Sequence, residues 1–249
     1  MTSRVACITG VGRKNGIGRA IALQLAEDGW DIAFSYWSPY EERMSLGGSA
    51  TDPAAIADEI AATGRRVLAV EADLEDPAGA TLLVERANAE LGAVSALVLS
   101  HSESVDSSIL TTSIESFDRH FAVNTRAAWL LIAAFARQIP AGGGSIVALT
   151  SDHVVDNLPY GASKGALDRI VIAAARELGH LGISSNALNP GPVDTGWMTD
   201  EIRASGTAQQ PTGRLGTPAD VAGVVGFLVS EKGRWISGQL VKSDGGFSV

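Results

Sequence analysis

The amino-acid sequence predicts an α/β protein in which a parallel sheet of about seven strands is wound on both faces by helices. Three observations carry that expectation. Short β-rich runs alternate with helix-length amphipathic segments, a glycine-rich turn follows the first strand, and no repeat, low-complexity tract or linker divides the chain. A length of 249 residues, 45% hydrophobic and 19% charged, fits one compact domain with a sizeable core.

In chain order, residues 5–9 form a strand. Residues 16–28 form a helix with Ile17, Ile21 and Leu25 on one face and Gly29 as its stop. A strand over 31–36 precedes a helix over 53–63, for which Asp52 is the expected N-cap and Pro53 the first residue. Then come a strand at 66–70, a helix at 77–91, a strand at 96–100 and a helical stretch over 113–139 in two pieces. A strand at 145–150, a helix at 159–180, a strand at 183–188, a helix at 218–230 and a strand at 239–242 complete the pattern. Two stretches break the rhythm. Residues 37–51 are long for a strand-to-helix connection, usually about two to six residues. Residues 195–217 are irregular, with a short helix expected near 200–204, and suit a substrate lid.

The formal net charge of -9 and the lack of any Lys/Arg cluster argue against nucleic acid as a partner. The longest apolar stretch, around 127–136, is too short to cross a bilayer. The first apolar segment runs straight into a glycine-rich turn, unlike a signal peptide, so a cytoplasmic protein is expected. The lone cysteine, Cys7, lies in an apolar run and is expected as a buried small hydrophobe. No metal site is expected.

After the first strand, Thr9-Gly10-Val11-Gly12-Arg13-Lys14-Asn15-Gly16-Ile17-Gly18 opens a helix. Glycines let backbone approach a phosphate, and the helix N-terminus offers N–H groups at the positive end of its dipole. A strand before and a helix after make this a dinucleotide cradle. Asp73, followed by Leu74 at the end of the third strand, shares that sheet edge and suits an adenine amino group; an ordinary turn aspartate is the other reading. After the second strand, an acid would bind a ribose 2′-hydroxyl and a base would accommodate a 2′-phosphate. Tyr36 and Trp37 stand there and are neither. Arg13 and Lys14, with Arg43 nearby, can pair with a phosphate, so NADP(H) is favoured over NAD(H).

Tyr160 and Lys164 lie four apart, on one face of a helix. An ammonium beside a phenol lowers its pKa from about 10 and makes it a usable proton donor or acceptor. Pro159 suits the first helical position, which places Tyr160 in the first turn at the carboxyl edge of the sheet.

With the cradle, Tyr160-x-x-x-Lys164 and Asp244-Gly245-Gly246, the chain resembles the short-chain dehydrogenase/reductase family from about Val5 to Gly246, particularly its 3-oxoacyl-carrier-protein reductase-like members. The resemblance implies a single Rossmann-type domain and hydride transfer between a nicotinamide and a small-molecule carbonyl or alcohol. It implies that Tyr160 protonates the forming alkoxide and that Lys164 lowers the Tyr160 pKa and binds ribose hydroxyls. Ser151 would hydrogen-bond the carbonyl oxygen, and Asn124, in Ala-Val-Asn-Thr, would hold a relay water. The segment from Pro190-Gly191 to Thr195 resembles the one whose backbone near Val193 and hydroxyl at Thr195 hold the carboxamide. The family also implies a homodimer or homotetramer.

The chain departs from the family in four places. Five residues separate Gly10 from Gly16, more than the usual spacing, so either the loop carries extra residues or Gly12 takes the first glycine's place. Leu99-Ser100-His101-Ser102 stands where Asn-Asn-Ala-Gly is usual. There His101 is either a hydrogen-bonded spacer or a catalytic group, and Glu103 is a rim residue. Ser151 lies nine residues before Tyr160, a short span, leaving Asp152 and His153 either to line the pocket or to close the loop. The 37–51 insertion carries Trp37, Tyr40 and Met44, and suits a cover for the adenosine end or an oligomer surface. Trp197, Met198 and Ile202 are expected in an apolar lid. A non-catalytic nucleotide-binding or scaffolding protein on the same fold is the alternative.

Overall fold

Successive strand side chains point to opposite sheet faces, and here both faces are apolar. In the computed structural model, which describes residues 4–44, 47–196 and 198–249, Val5 and Cys7 of β1 (Arg4–Thr9) enter one core while Ala6 and Ile8 enter the other. All four are buried, which is why the strand reads as an unbroken apolar run.

The remaining strands are β2 (Trp30–Tyr36), β3 (Val67–Glu71), β4 (Val94–Leu99), β5 (Gly144–Leu149), β6 (Ile183–Asn189) and β7 (Leu240–Lys242). Among the described residues they form one parallel sheet in the order β3-β2-β1-β4-β5-β6-β7. The order reverses between β1 and β4. Such a switch point opens a crevice at the carboxyl ends of the strands.

The helices are α1 (Ile17–Glu27), α2 (Ser38–Met44), α3 (Asp52–Ala62), α4 (Pro77–Glu90), α5 (Ile114–His120), α6 (Ala127–Arg137), α7 (Leu158–Glu177), α8 (Asp200–Gln209) and α9 (Pro218–Val229). Leu83, Leu131, Phe135 and Val171 bring α4, α6 and α7 onto one face. Ile21, Leu25, Ile56, Ile60 and Val225 bring α1, α3 and α9 onto the other. Full burial of each such side chain contributes roughly 1.5–3 kcal/mol, which ties both helical layers to the sheet.

Four local expectations change. The 37–51 insertion contains α2, whose Ser38-Pro39 start the apolar pattern did not disclose. Asp52 is the first residue of α3 and not its cap; Thr51 holds the cap position, and the Asp52 carboxylate turns to Lys14. Between α5 and α6 lies a π-helical turn, Phe121–Arg126. The short helix expected near 200–204 extends to Gln209 as α8, started by the Thr199 hydroxyl accepting from the Ile202 N–H. No described helix is long and apolar enough to cross a membrane.

Candidate active site

Gly10 leaves β1 with φ of +75°, and a Cβ there would stand 2.7 Å from the His101 Cα. Only glycine fits that backbone and that approach. A Cβ on Gly18 would lie 2.5 Å from the Gly10 carbonyl oxygen, so α1 packs directly on the turn. Gly10 therefore holds the strand-end position, and the loop to Gly16 carries the extra residues. Gly16 precedes α1 with no side chain capping it. Lys14, Asn15 and Gly16 face Thr195 and Gly196 across a cavity of about 360 Å³. A glycine cradle, an uncapped helix start and a lysine fit a dinucleotide's phosphates.

The adenosine side is more crowded than the sequence suggests. Tyr36 packs against Phe34, with ring centroids 6.4 Å apart, and Trp37 is partly exposed. The Asp73 carboxylate accepts the Glu75 N–H at 2.8 Å, so the turn reading of Asp73 applies as well. Leu74 is buried in the core, leaving only its backbone to face a ligand. Although the strand end holds no acid, α2 delivers one. Glu41 pairs with Arg13 at 3.0 Å, while Arg43 turns away to Glu103 at 2.6 Å.

The end of β4 is rebuilt around His101. Its Nε2 donates to the Val123 carbonyl at 3.0 Å, so its Nδ1 accepts from the Thr9 hydroxyl at 2.6 Å. The same hydroxyl accepts the Ser100 N–H at 3.1 Å. Burial, with Lys164 nearby, pushes the His101 pKa down to about 3. The ring is therefore a neutral spacer tying β1 and β4 to the π turn. Glu103 is buried and not a rim residue. Its backbone brackets Asn124: the Glu103 N–H donates to Oδ1 at 2.8 Å, and Nδ2 donates to the Glu103 carbonyl at 2.9 Å. Nδ2 also donates to the Ser163 hydroxyl at 2.9 Å, which fixes the π turn against α7.

On α7, Tyr160 and Lys164 share a face, with Nζ 5.7 Å from the phenol ring centroid. Nζ donates to the Leu149 carbonyl at 2.9 Å and reaches the His101 carbonyl at 3.5 Å. Burial lowers the Lys164 pKa to about 8, against which Asp168, one turn further on, favours the ammonium. The Tyr160 pKa is raised rather than lowered, because burial outweighs hydrogen bonds from the Ser151 and Ser102 hydroxyls. Lys164 is not among the groups that shift Tyr160, so the expected lowering by its ammonium is not seen here. Asp152 and His153 are exposed and serve the loop, not the pocket. Asp152 pairs with Lys242 at 3.2 Å, and the His153 N–H donates to the Ser151 Oγ at 3.2 Å.

Gly191 has φ of +63°, and a Cβ there would stand 2.5 Å from the Asp244 Cβ. The Pro190-Gly191 corner thus rests on Asp244-Gly245-Gly246, whose Asp244 accepts the Gly246 N–H at 3.0 Å. Val193 and Thr195 are buried, and the Thr195 carbonyl faces Arg13 at 3.4 Å. Met198 is half-buried and Ile202 is exposed on α8, while Trp197 lies outside the described residues.

Sequence reasoning missed Glu41, Ser163 and Asp168. Asp168 carried a signal, since it follows Lys164 at helical spacing. The other two become neighbours only through the fold.

The family model described as "Enoyl-(Acyl carrier protein) reductase" matches residues 10–248. The "Uncharacterized oxidoreductase YjdA" of Bacillus subtilis is 37% identical, covering 98% of this chain and 96% of that protein. The "NADPH-dependent aldehyde reductase-like protein, chloroplastic" of Arabidopsis thaliana is 34% identical, over 99% and 95%. A solved structure described as a blue fluorescent protein from a metagenomic library in complex with NADPH superposes with a TM-score of 0.88 at 34% identity, over 99% and 98%. Matched over nearly its whole length by model, sequence and fold, the chain belongs to the short-chain dehydrogenase/reductase family, NAD(P)(H)-linked oxidoreductases acting on carbonyl and alcohol carbons.

Proposed function

We propose that this chain is an NADP(H)-dependent carbonyl reductase or secondary-alcohol dehydrogenase whose proton donor and acceptor is Tyr160. The observation that carries the reading is Tyr160 beside the buried Lys164 at the switch-point crevice, with Nζ 5.7 Å from the phenol ring centroid and the Ser151 hydroxyl at the phenol. When bound, the nicotinamide supplies or accepts the hydride. Ser151 donates to the substrate oxygen, where negative charge develops. Tyr160 then protonates that oxygen. Lys164 keeps a cation beside the phenol, and Asn124 fixes the π turn through which a water relay would reach Lys164. Gly10, Gly12, Gly16, Ile17 and Gly18 hold the pyrophosphate, with Ser100, His101 and Ser102 as the floor. Val193 and Thr195 hold the carboxamide.

Preference for NADP(H) rests on Arg13 and Lys14 in the glycine loop, and on NADPH in the names of an Arabidopsis relative and a structural neighbour. The reading includes a single catalytic domain over 1–249 with a lid at 195–217. It also includes a cytoplasmic setting, in keeping with the buried free Cys7, and a homodimer or homotetramer.

Tyr160→Phe is expected to lower kcat by about 10²–10⁴-fold while NADPH still raises the melting temperature. Undiminished turnover in that variant would refute the assignment. A panel of aldehydes, ketones and a 3-oxoacyl thioester tests the substrate class. Selective turnover of the thioester would place the enzyme with the carrier-protein reductase-like members.

A further inference from the structure

The insertion between β2 and α3 brings carboxylates to the phosphate-binding loop. Glu41 of α2 pairs with Arg13 at 3.0 Å, and both side chains are largely buried. Its Oε1 lies 3.0 Å from where a Cβ on Gly12 would stand. Asp52, at the start of α3, accepts the Lys14 N–H at 3.2 Å and faces Lys14 Nζ at 3.8 Å. Each cation of the cradle therefore already has a carboxylate partner. Burial raises the Glu41 pKa, Arg13 opposes this and Asp52 adds to it.

Glu41 is held there by the fold. Arg43, two residues on, binds the buried Glu103 at 2.6 Å and lies over the Tyr40 ring at 5.4 Å. On the other side, a Cβ on Gly48 would come 2.9 Å from the Arg13 Cγ, so the insertion closes over the arginine stem. An anion approaching Arg13 must displace Glu41 or lie beside it.

We propose that Glu41 is a specificity-determining residue of the cofactor site, whose carboxylate competes with a 2′-phosphate for Arg13 and so limits the preference for NADP(H) over NAD(H). The inference rests on the reading above that Arg13 faces the 2′-phosphate. A phosphate monoester carries about -1.5 to -2 charge at pH 7, so it meets both the competition for Arg13 and like-charge repulsion. A ribose 2′-hydroxyl brings no charge and meets neither. The cofactor that gains from removing Glu41 is therefore the phosphorylated one.

The test is binding, not turnover. Dissociation constants for NADPH, NADH, 2′,5′-ADP and 5′-ADP are measured for the wild type, Glu41→Gln and Glu41→Ala, with melting temperatures to establish folding. Both variants are expected to bind NADPH and 2′,5′-ADP roughly tenfold more tightly, equivalent to about 1.4 kcal/mol, with NADH and 5′-ADP within about twofold of the wild type. Unchanged or weaker NADPH binding overturns the proposal, as does equal tightening of all four ligands, which would mean a loosened insertion. If the wild type prefers NADPH and the variants match it, only this proposal fails. If the wild type prefers NADH and Glu41→Gln weakens it, Glu41 binds the ribose hydroxyl and the NADP(H) reading fails too.

Discussion

Burial sets the chemistry of individual residues here. His101 loses its charge to burial and becomes a spacer, tying the β4 end to the π turn and to β1 with one hydrogen bond each. Lys164 keeps a proton at neutral pH only narrowly, since burial brings its pKa to about 8. If the ammonium is the form that assists Tyr160, activity is present below that value and lost as pH rises through it. The rate of carbonyl reduction, kcat/KM, is thus expected to fall on an alkaline limb near pH 8. Asp168→Asn removes the carboxylate that favours the ammonium, so its limb should move to lower pH, while Asp168→Glu should restore it. A pH–rate profile checks both, and an unmoved limb would remove Asp168 from the site.

Two elements do what no single residue could. The π turn at Phe121–Arg126 places Asn124 between the Glu103 backbone and Ser163, linking α5 and α6 to α7. The short connection from Ser151 into α7 works because Gly161 admits it: a Cβ there would stand 2.2 Å from the His153 carbonyl oxygen. Since that contact is with backbone, Gly161→Ala is expected to push the loop away and carry Ser151 with it. Misplacement by about 1 Å costs on the order of 10²-fold in rate. Steady-state kinetics should show the loss in kcat/KM while NADPH affinity, set at the other end of the crevice, is retained. Wild-type kinetics would mean that the loop does not position Ser151.

At the scale of the molecule, a depression of about 540 Å³ lies outside the proposed site, where Phe121, Trp129 and Ile170 are joined by Asp118, Thr125 and Arg126. Trp129 is 55% exposed on α6, and a large exposed aromatic rimmed by polar residues suits a partner subunit. Light scattering is expected to give a dimer or tetramer that Trp129→Glu shifts to smaller species; a monomeric wild type would reject the oligomer. Much of this protein was legible in its sequence because the signals were periodic or stereochemical. Alternating apolar segments gave the layers, glycines marked the tight turns, and Tyr160, Lys164, Asn124 and Ser151 stood in family order. Glu103 and Glu41 were misread or missed because nothing in a linear pattern says which side chain a loop returns to. By itself, then, the sequence determined the layered fold and nominated the residues proposed for the chemistry, since local backbone preference and burial period are encoded residue by residue. Only the tertiary structure decided that His101 is neutral, that Glu103 is buried and that Glu41 holds Arg13, because charge state and ion pairing depend on neighbours that are distant in the chain.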